Sequence, residues 1–150
     1  MIFKYLKSLI AILFLMLFFF TTMAQGLKMP FQSDPWKEKQ LISPDSLAGL
    51  IDQKAKVKIY NIGVVQNIKG AIHLGAASEI ENLEKLRKII KAEDRGEFIV
   101  IYCGCCPMNK CPNIRPAFRL FMEEKFTNTR LLDLPVNIKV NWIDKGYPVE

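Results

Sequence analysis

An α/β domain with a mostly parallel sheet is what this sequence predicts, and three observations lead there. The segment Phe98-Ile99-Val100-Ile101-Tyr102 is apolar at every position. A strand apolar on both faces lies inside a sheet covered on both sides, the habit of parallel sheets. Helix-period stretches also alternate with short β-rich runs, in the order helix, strand, strand, helix, strand, loop, helix, strand. Finally, the 150 residues are 50% hydrophobic and 24% charged, enough to bury one core and hardly two, and too apolar for wholesale disorder.

The N-terminal stretch reads as a targeting signal. Lys4 and Lys7 precede an unbroken apolar run from Leu9 to Phe20, and small residues stand at Thr22 and Ala24. This is the three-part pattern of a secretory signal peptide over residues 1–24, with cleavage expected after Ala24. The run is short of the roughly 20 residues of a spanning helix, so a membrane association would come only from an uncleaved signal segment. No Cys stands at the boundary to carry a lipid. Export places the chain in the periplasm or outside the cell. Cleavage removes two lysines and lowers the formal charge from +6 to +4. Basic and acidic residues are interspersed along Glu79–Lys88, a solvated helix face, and no nucleic-acid partner is expected.

Residues 25–42 are polar, with Pro30, Pro35 and isolated Phe31 and Trp36, and read as a spacer before a domain over 43–150. Ser43-Pro44 starts a helix, with Ser as cap and Pro at the first helical position, and Leu47, Leu50 and Ile51 form its apolar stripe. A strand belongs near the front of Val57–Val65, and Gly70–Leu74 is a second extended piece. Ser78 and Glu81 have capping-box spacing, and Ile80, Leu83, Leu86 and Ile90 follow at helical period. After the Phe98–Tyr102 strand and a cysteine-rich loop, Asn113 is placed to cap a helix carrying Ile114, Ala117, Phe118, Phe121 and Met122 on one face. Pro116 is tolerated in its first turn, and Arg130–Leu134 is the closing strand.

All four cysteines lie between Cys103 and Cys111, in Cys103-Gly104-Cys105-Cys106-Pro107-Met108-Asn109-Lys110-Cys111. A disulfide scaffold spreads its cysteines to join distant segments; here something local is built from thiols. Ligands of open α/β sheets bind beyond the carboxyl ends of strands. Cys103 stands at such an end and faces a helix N-terminus, whose free N–H groups and positive dipole end favour thiolate over thiol. The expectation is a charged, reachable nucleophile at Cys103. Loop N–H groups from Gly104 to Cys106, with Lys110, Asn113 and Arg115, would hold an anionic substrate, and Cys105, Cys106 and Cys111 would resolve, tune or protect the sulfur. Pro107 and Pro112 stiffen the loop. His73, the one histidine, reads as structural, Trp142 as a packing residue, and a surface ion pair with Glu123 or Glu124 is the plain reading of Arg115.

From about Ser43 to Glu150 the chain resembles a single-domain rhodanese, a sulfurtransferase family. Four segments carry the likeness: Ile68-Lys69-Gly70-Ala71-Ile72-His73-Leu74, Ile99-Val100-Ile101-Tyr102-Cys103, Leu131-Leu132-Asp133-Leu134, and Trp142 followed by Gly146-Tyr147-Pro148-Val149. The resemblance implies a five-stranded parallel sheet with helices on both faces. It also implies a cysteine, here Cys103, that takes a sulfane sulfur as a persulfide and passes it to a thiophilic acceptor. Substrates would be a small sulfur-containing anion and a thiol, free or on a partner protein, with no cofactor. Three features depart from the family. Asn61-Ile62-Gly63 replaces Asp-(Val or Ala)-Arg, the active loop is longer, with Met108 five positions after Cys103, and Pro135–Ile138 stands where Gly-Gly precedes the final Trp.

Other functions also fit four clustered thiols. Two loop cysteines would serve thiol–disulfide exchange. Soft thiolates would bind Cu(I) or Zn, although Cys-x-Cys-Cys-x4-Cys lacks the paired Cys-x2-Cys knuckles of structural zinc sites, which ranks metal behind the other two. A non-catalytic binding domain with a disulfide-stapled loop is the fourth reading, in which a bridge between the adjacent Cys105 and Cys106 would be strained.

Overall fold

The structure is a computed structural model and describes residues 34–150. The expected signal segment and the first half of the expected spacer, residues 25–33, lie outside the described residues. Five strands, β1 (Leu41–Ile42), β2 (Lys58–Asn61), β3 (Ala71–His73), β4 (Ile99–Tyr102) and β5 (Thr129–Leu132), form one sheet in the order β1-β5-β4-β2-β3. Every pairing is parallel, with Ile59 opposite Val100 and Ile101 opposite Leu131 in the central registers. Among the described residues no helix is long and apolar enough to cross a membrane.

Four helices cover the sheet: α1 (Pro44–Asp52), α2 (Ile80–Ile90), α3 (Ile114–Glu123) and the short α4 (Ile138–Asn141). Strand residues alternate between two apolar cores. Ile99, Ile101 and Cys103 join Leu86 and Ile90 of α2 and Phe118 and Phe121 of α3. Val100 and Tyr102 join Leu47 of α1 and Ile138 and Trp142 on the opposite face. All four residues of β4 are fully buried, as its unbroken apolar run predicts. Burying each such side chain is worth about 1.5–3 kcal/mol.

The start of α1 is as its sequence predicts: Ser43 Oγ accepts from Ser46 N at 3.2 Å, with Pro44 in the first turn. The start of α2 differs. Its cap position is Glu79, without a side-chain cap bond, and Ile80 is 80% exposed rather than on the core face. The capping-box reading of Ser78 and Glu81 is therefore corrected. Ser78 is held one position further out, where its N–H donates to Asn113 Oδ1 at 2.9 Å.

The end of the expected spacer is structural. Leu41 and Ile42 pair with Leu131 and Leu132 as the sheet's edge strand, and Trp36 meets Phe118 edge-on at 5.9 Å. Two of the segments that carry the family likeness meet at the other end of the molecule. Trp142 is fully buried and donates from Nε1 to Pro148 O at 3.0 Å, Lys69 N donates to the same oxygen at 3.1 Å, and Ile68 bridges Val149.

Candidate active site

Cys103 follows the last residue of β4, and the strand's alternation aims its side chain at the α2–α3 face. Two glycines make that position possible. A Cβ on Gly63 would stand 2.5 Å from Cys103 O and 2.8 Å from its Sγ. The glycine that replaces the family's Arg thus gives the cysteine its room. Gly104 has φ +76°, and a Cβ there would stand 2.7 Å from Ile138 Cβ, while its carbonyl accepts from Ile138 N at 2.9 Å. Only glycine combines that backbone conformation with such close approach. Gly104 shapes the loop through its backbone.

Asn113 precedes α3 but does not cap it: its side chain makes no cap bond. The expectation of a capping Asn is corrected here. Its amide, 4% exposed, accepts from Ser78 N through Oδ1 and donates from Nδ2 to Cys103 Sγ at 3.0 Å. The Ser78 N–H fixes which end of the amide faces the sulfur. The residue thus holds the Cys103 sulfur in place.

Three further sulfurs gather around Cys103. All four cysteines are free thiols. Cys105 Sγ lies 3.2 Å from Cys103 Sγ and 3.3 Å from Cys106 Sγ. Cys103, Cys105 and Cys111 hold their sulfurs within 4.8 Å of one another, the one grouping of metal-ligating side chains found among the described residues. A hydrogen bond from Cys111 is the largest influence on the Cys103 thiol, and Asn113 Nδ2 and the Cys105 N–H and thiol add to it. Against burial, these donors bring its pKa down to about 5. Cys105 is pushed up to about 12, by burial first and then by its sulfur neighbours. Cys111 moves up as well, because its proton is given to Cys103. Ionisation is thus favoured at Cys103 and disfavoured at Cys105 and Cys111.

In one respect the site differs from the sequence expectation of a reachable sulfur: Cys103 is buried. Cys103 is 1% exposed and Cys111 fully buried. The space beside them is a slot lined by Cys103, Gly104, Cys106, Met108, Cys111 and Leu134, too tight for a water molecule. The longer loop closes it. Met108 tucks into the core and donates its N–H to Leu134 O at 3.2 Å, so the chain returns across the sulfurs instead of ringing an open pocket. Cys105 is left exposed on top.

The two basic residues expected at an anion site divide. Lys110 is exposed and has no carboxylate partner among the described residues. Arg115 is engaged elsewhere: it pairs with Asp34, donates to Asn109 O at 2.8 Å, and lies 5.4 Å from the Trp36 ring centroid. Its charge anchors residues 34–36 to the start of α3, and the expected pairing with Glu123 or Glu124 is corrected to one with Asp34. His73 is on β3, separated from β4 by β2, and its Nδ1 is 3.1 Å from Asn61 Nδ2, the structural role read from the sequence. Sequence reasoning noted Gly63 only as a departure from the family and missed its role; its signal was a glycine two residues beyond the strand Lys58–Asn61.

The parallel five-stranded sheet, with helices on both faces and a cysteine at the end of its central strand, defines a rhodanese-like α/β domain. Solved structures share it. A thiosulfate sulfurtransferase from Pseudomonas aeruginosa superimposes with a TM-score of 0.52 at 17% identity, over 75% of this chain and 21% of that one. EanB with a cysteine persulfide, in a tetrahedral intermediate state with ergothioneine, gives 0.53 at 24% identity, over 73% of this chain and 27% of that one. Wild-type EanB gives 0.51 at 23% identity, over 74% and 27%. This chain therefore spans about a fifth to a quarter of the length of the proteins it resembles. No family model and no curated protein matches its sequence.

Proposed function

We propose that the chain is an exported sulfurtransferase in which Cys103 carries sulfane sulfur as a persulfide. One observation carries the reading: a sulfur held as thiolate, with a pKa of about 5, at the carboxyl end of the central strand of a rhodanese-like sheet. A thiolate is what attacks sulfur. The reaction starts as the Cys105 side chain moves off its 3.2 Å contact and uncovers Cys103. The thiolate then attacks the outer sulfur of a donor such as thiosulfate. The donor's S–S bond breaks, sulfite leaves with the electron pair, and Cys103 holds the transferred sulfur as a persulfide anion. An incoming thiolate or cyanide bonds to that sulfur, and the Cys103 thiolate is released. Lys110 is the free cation nearest in sequence to draw the donor in. Mass spectrometry of the intact protein after incubation with thiosulfate or polysulfide should show one added sulfur, absent in Cys103→Ala. Equal loading of the variant removes Cys103 from the mechanism.

The 3.2 Å contact between Cys103 and Cys105 favours a second reading, thiol–disulfide exchange. Closing to a bond length of about 2.05 Å requires a shift of little more than an ångström. Such an exchanger loses two thiols together on mild oxidation and yields a Cys103–Cys105 crosslinked peptide, whereas a sulfur carrier gains mass with its other thiols intact. Export is tested by N-terminal sequencing of the protein recovered from the periplasm or medium, where residue 25 should come first.

A further inference from the structure

We propose that Cys103, Cys105 and Cys111 form a three-coordinate site for a soft monovalent cation, Cu(I) by preference. The site is distinct in chemistry from sulfur transfer, although it shares Cys103 with it. The three sulfurs lie within 4.8 Å of one another, and the closest pair is 3.2 Å apart. With metal–thiolate bonds of about 2.3 Å, a trigonal set needs sulfurs about 4 Å apart. Small side-chain adjustments on either side of that value close the site without moving the backbone.

The donor set selects the metal. It contains sulfur alone, with no imidazole or carboxylate in the group, and sulfur suits soft ions. Structural zinc closes its shell with four ligands, and the fourth cysteine is not within the group: Cys106 contacts Cys105 at 3.3 Å but does not join the three sulfurs that lie within 4.8 Å of one another. Three donors suit a cation that accepts three. The surroundings agree. Cys103 and Cys111 are buried between Met108, Ile114 and Leu134, so a singly charged ion is easier to desolvate there than a divalent one. Asn113 Nδ2 on Cys103, and the backbone N–H groups of Asn113 and Ile114 on Cys111, support sulfurs that become anionic. Cys105, exposed, is the point of entry. On binding, the Cys105 and Cys111 thiols release their protons to solvent as their sulfur lone pairs form the metal bonds, and Cys103 offers a sulfur already deprotonated. The copper enters as Cu(I), so no electron is exchanged. A bound ion occupies the Cys103 lone pair, which makes metal loading and sulfur loading mutually exclusive if Cys103 carries sulfur.

The test is an anaerobic Cu(I) titration of the reduced protein against bicinchoninate. One Cu(I) per chain should be withheld from the competitor, with thiolate-to-metal absorption in the ultraviolet. Cys105→Ser and Cys111→Ser should each weaken binding at least tenfold, and Cys106→Ser should keep the stoichiometry of one. X-ray absorption at the copper edge of the wild-type protein gives a readout free of substitutions, with three sulfur neighbours expected. Failure to withhold Cu(I), a shell of two sulfurs or of nitrogen and oxygen, or wild-type affinity in Cys111→Ser overturns the site. Sulfur loading of the metal-free protein is measured separately by mass. A chain that loads sulfur but not Cu(I) refutes the metal site alone, and one that loads Cu(I) but not sulfur refutes the transfer reading alone.

Discussion

Asn113 decides the chemistry of Cys103 more than any charged residue does. Its amide is clamped by the Ser78 N–H and points its donor at the sulfur from 3.0 Å. A hydrogen bond to a charged partner is worth about 1.5–3 kcal/mol, which corresponds to roughly one to two pH units of titration midpoint. Asn113→Leu keeps the volume and removes the donor. The thiolate absorbance near 240 nm, which should titrate near pH 5 in the wild type, should move up by about one pH unit or more in this variant. An unmoved midpoint would show that Cys111 and Cys105 set the thiolate without Asn113. The sequence marked Asn113 as a cap because asparagine before a helix usually is one. Its real partners are a backbone N–H 35 residues away and a sulfur ten residues away, contacts that no local pattern encodes.

At the scale of elements, legibility followed length and periodicity. The strand β4 and the helices α1 and α3 were readable because each repeats a burial pattern over several residues. The edge strand β1 is two residues long and took its structure from β5, so its own sequence carried no period to detect. The loop was readable as a thiol cluster at a strand end. Its closure over Cys103 was not, because that depends on where Met108 finds space in the core. Gly63 shows how tightly the strand ends are fitted. In Gly63→Ala the new methyl meets a backbone oxygen at 2.5 Å, and that oxygen cannot rotate away. Overpacking of this kind costs about 1–3 kcal/mol. Urea denaturation should show that loss, together with a raised Cys103 midpoint as the sulfur is displaced from its donors. Gly49→Ala is the matched control. It lies inside α1 with nothing within 4 Å of its Cβ position, and alanine there should stabilise by roughly 0.5–1 kcal/mol. Equal effects of the two substitutions would refute the close fit at Gly63.

Across the whole molecule, the site and the fold share one free energy. Cys103 and Cys111 belong to the apolar core between the sheet and α2–α3, so ionisation at Cys103 is felt by global unfolding. The folded pKa of Cys103, about 5, lies below its ordinary value of 9.0. A thiol shifted downward stabilises the fold fully above the ordinary value. That contribution falls away as the pH drops toward about 5, with a slope of at most about 1.4 kcal/mol per pH unit. The upward-shifted Cys105 and Cys111 carry their protons in folded and unfolded chains alike below pH ~8, so they do not disturb this window. Glu93, lowered first by its hydrogen bond from Lys58, acts only below its ordinary 4.5. Urea unfolding of the reduced protein at intervals from pH 5 to 8 should therefore show stability rising with pH. Cys103→Ser should flatten that rise while leaving the neighbouring thiols in place. A wild-type profile as flat as the variant's would mean that no thiolate is buried in the folded core, and the nucleophile would have to be sought at the exposed Cys105 instead.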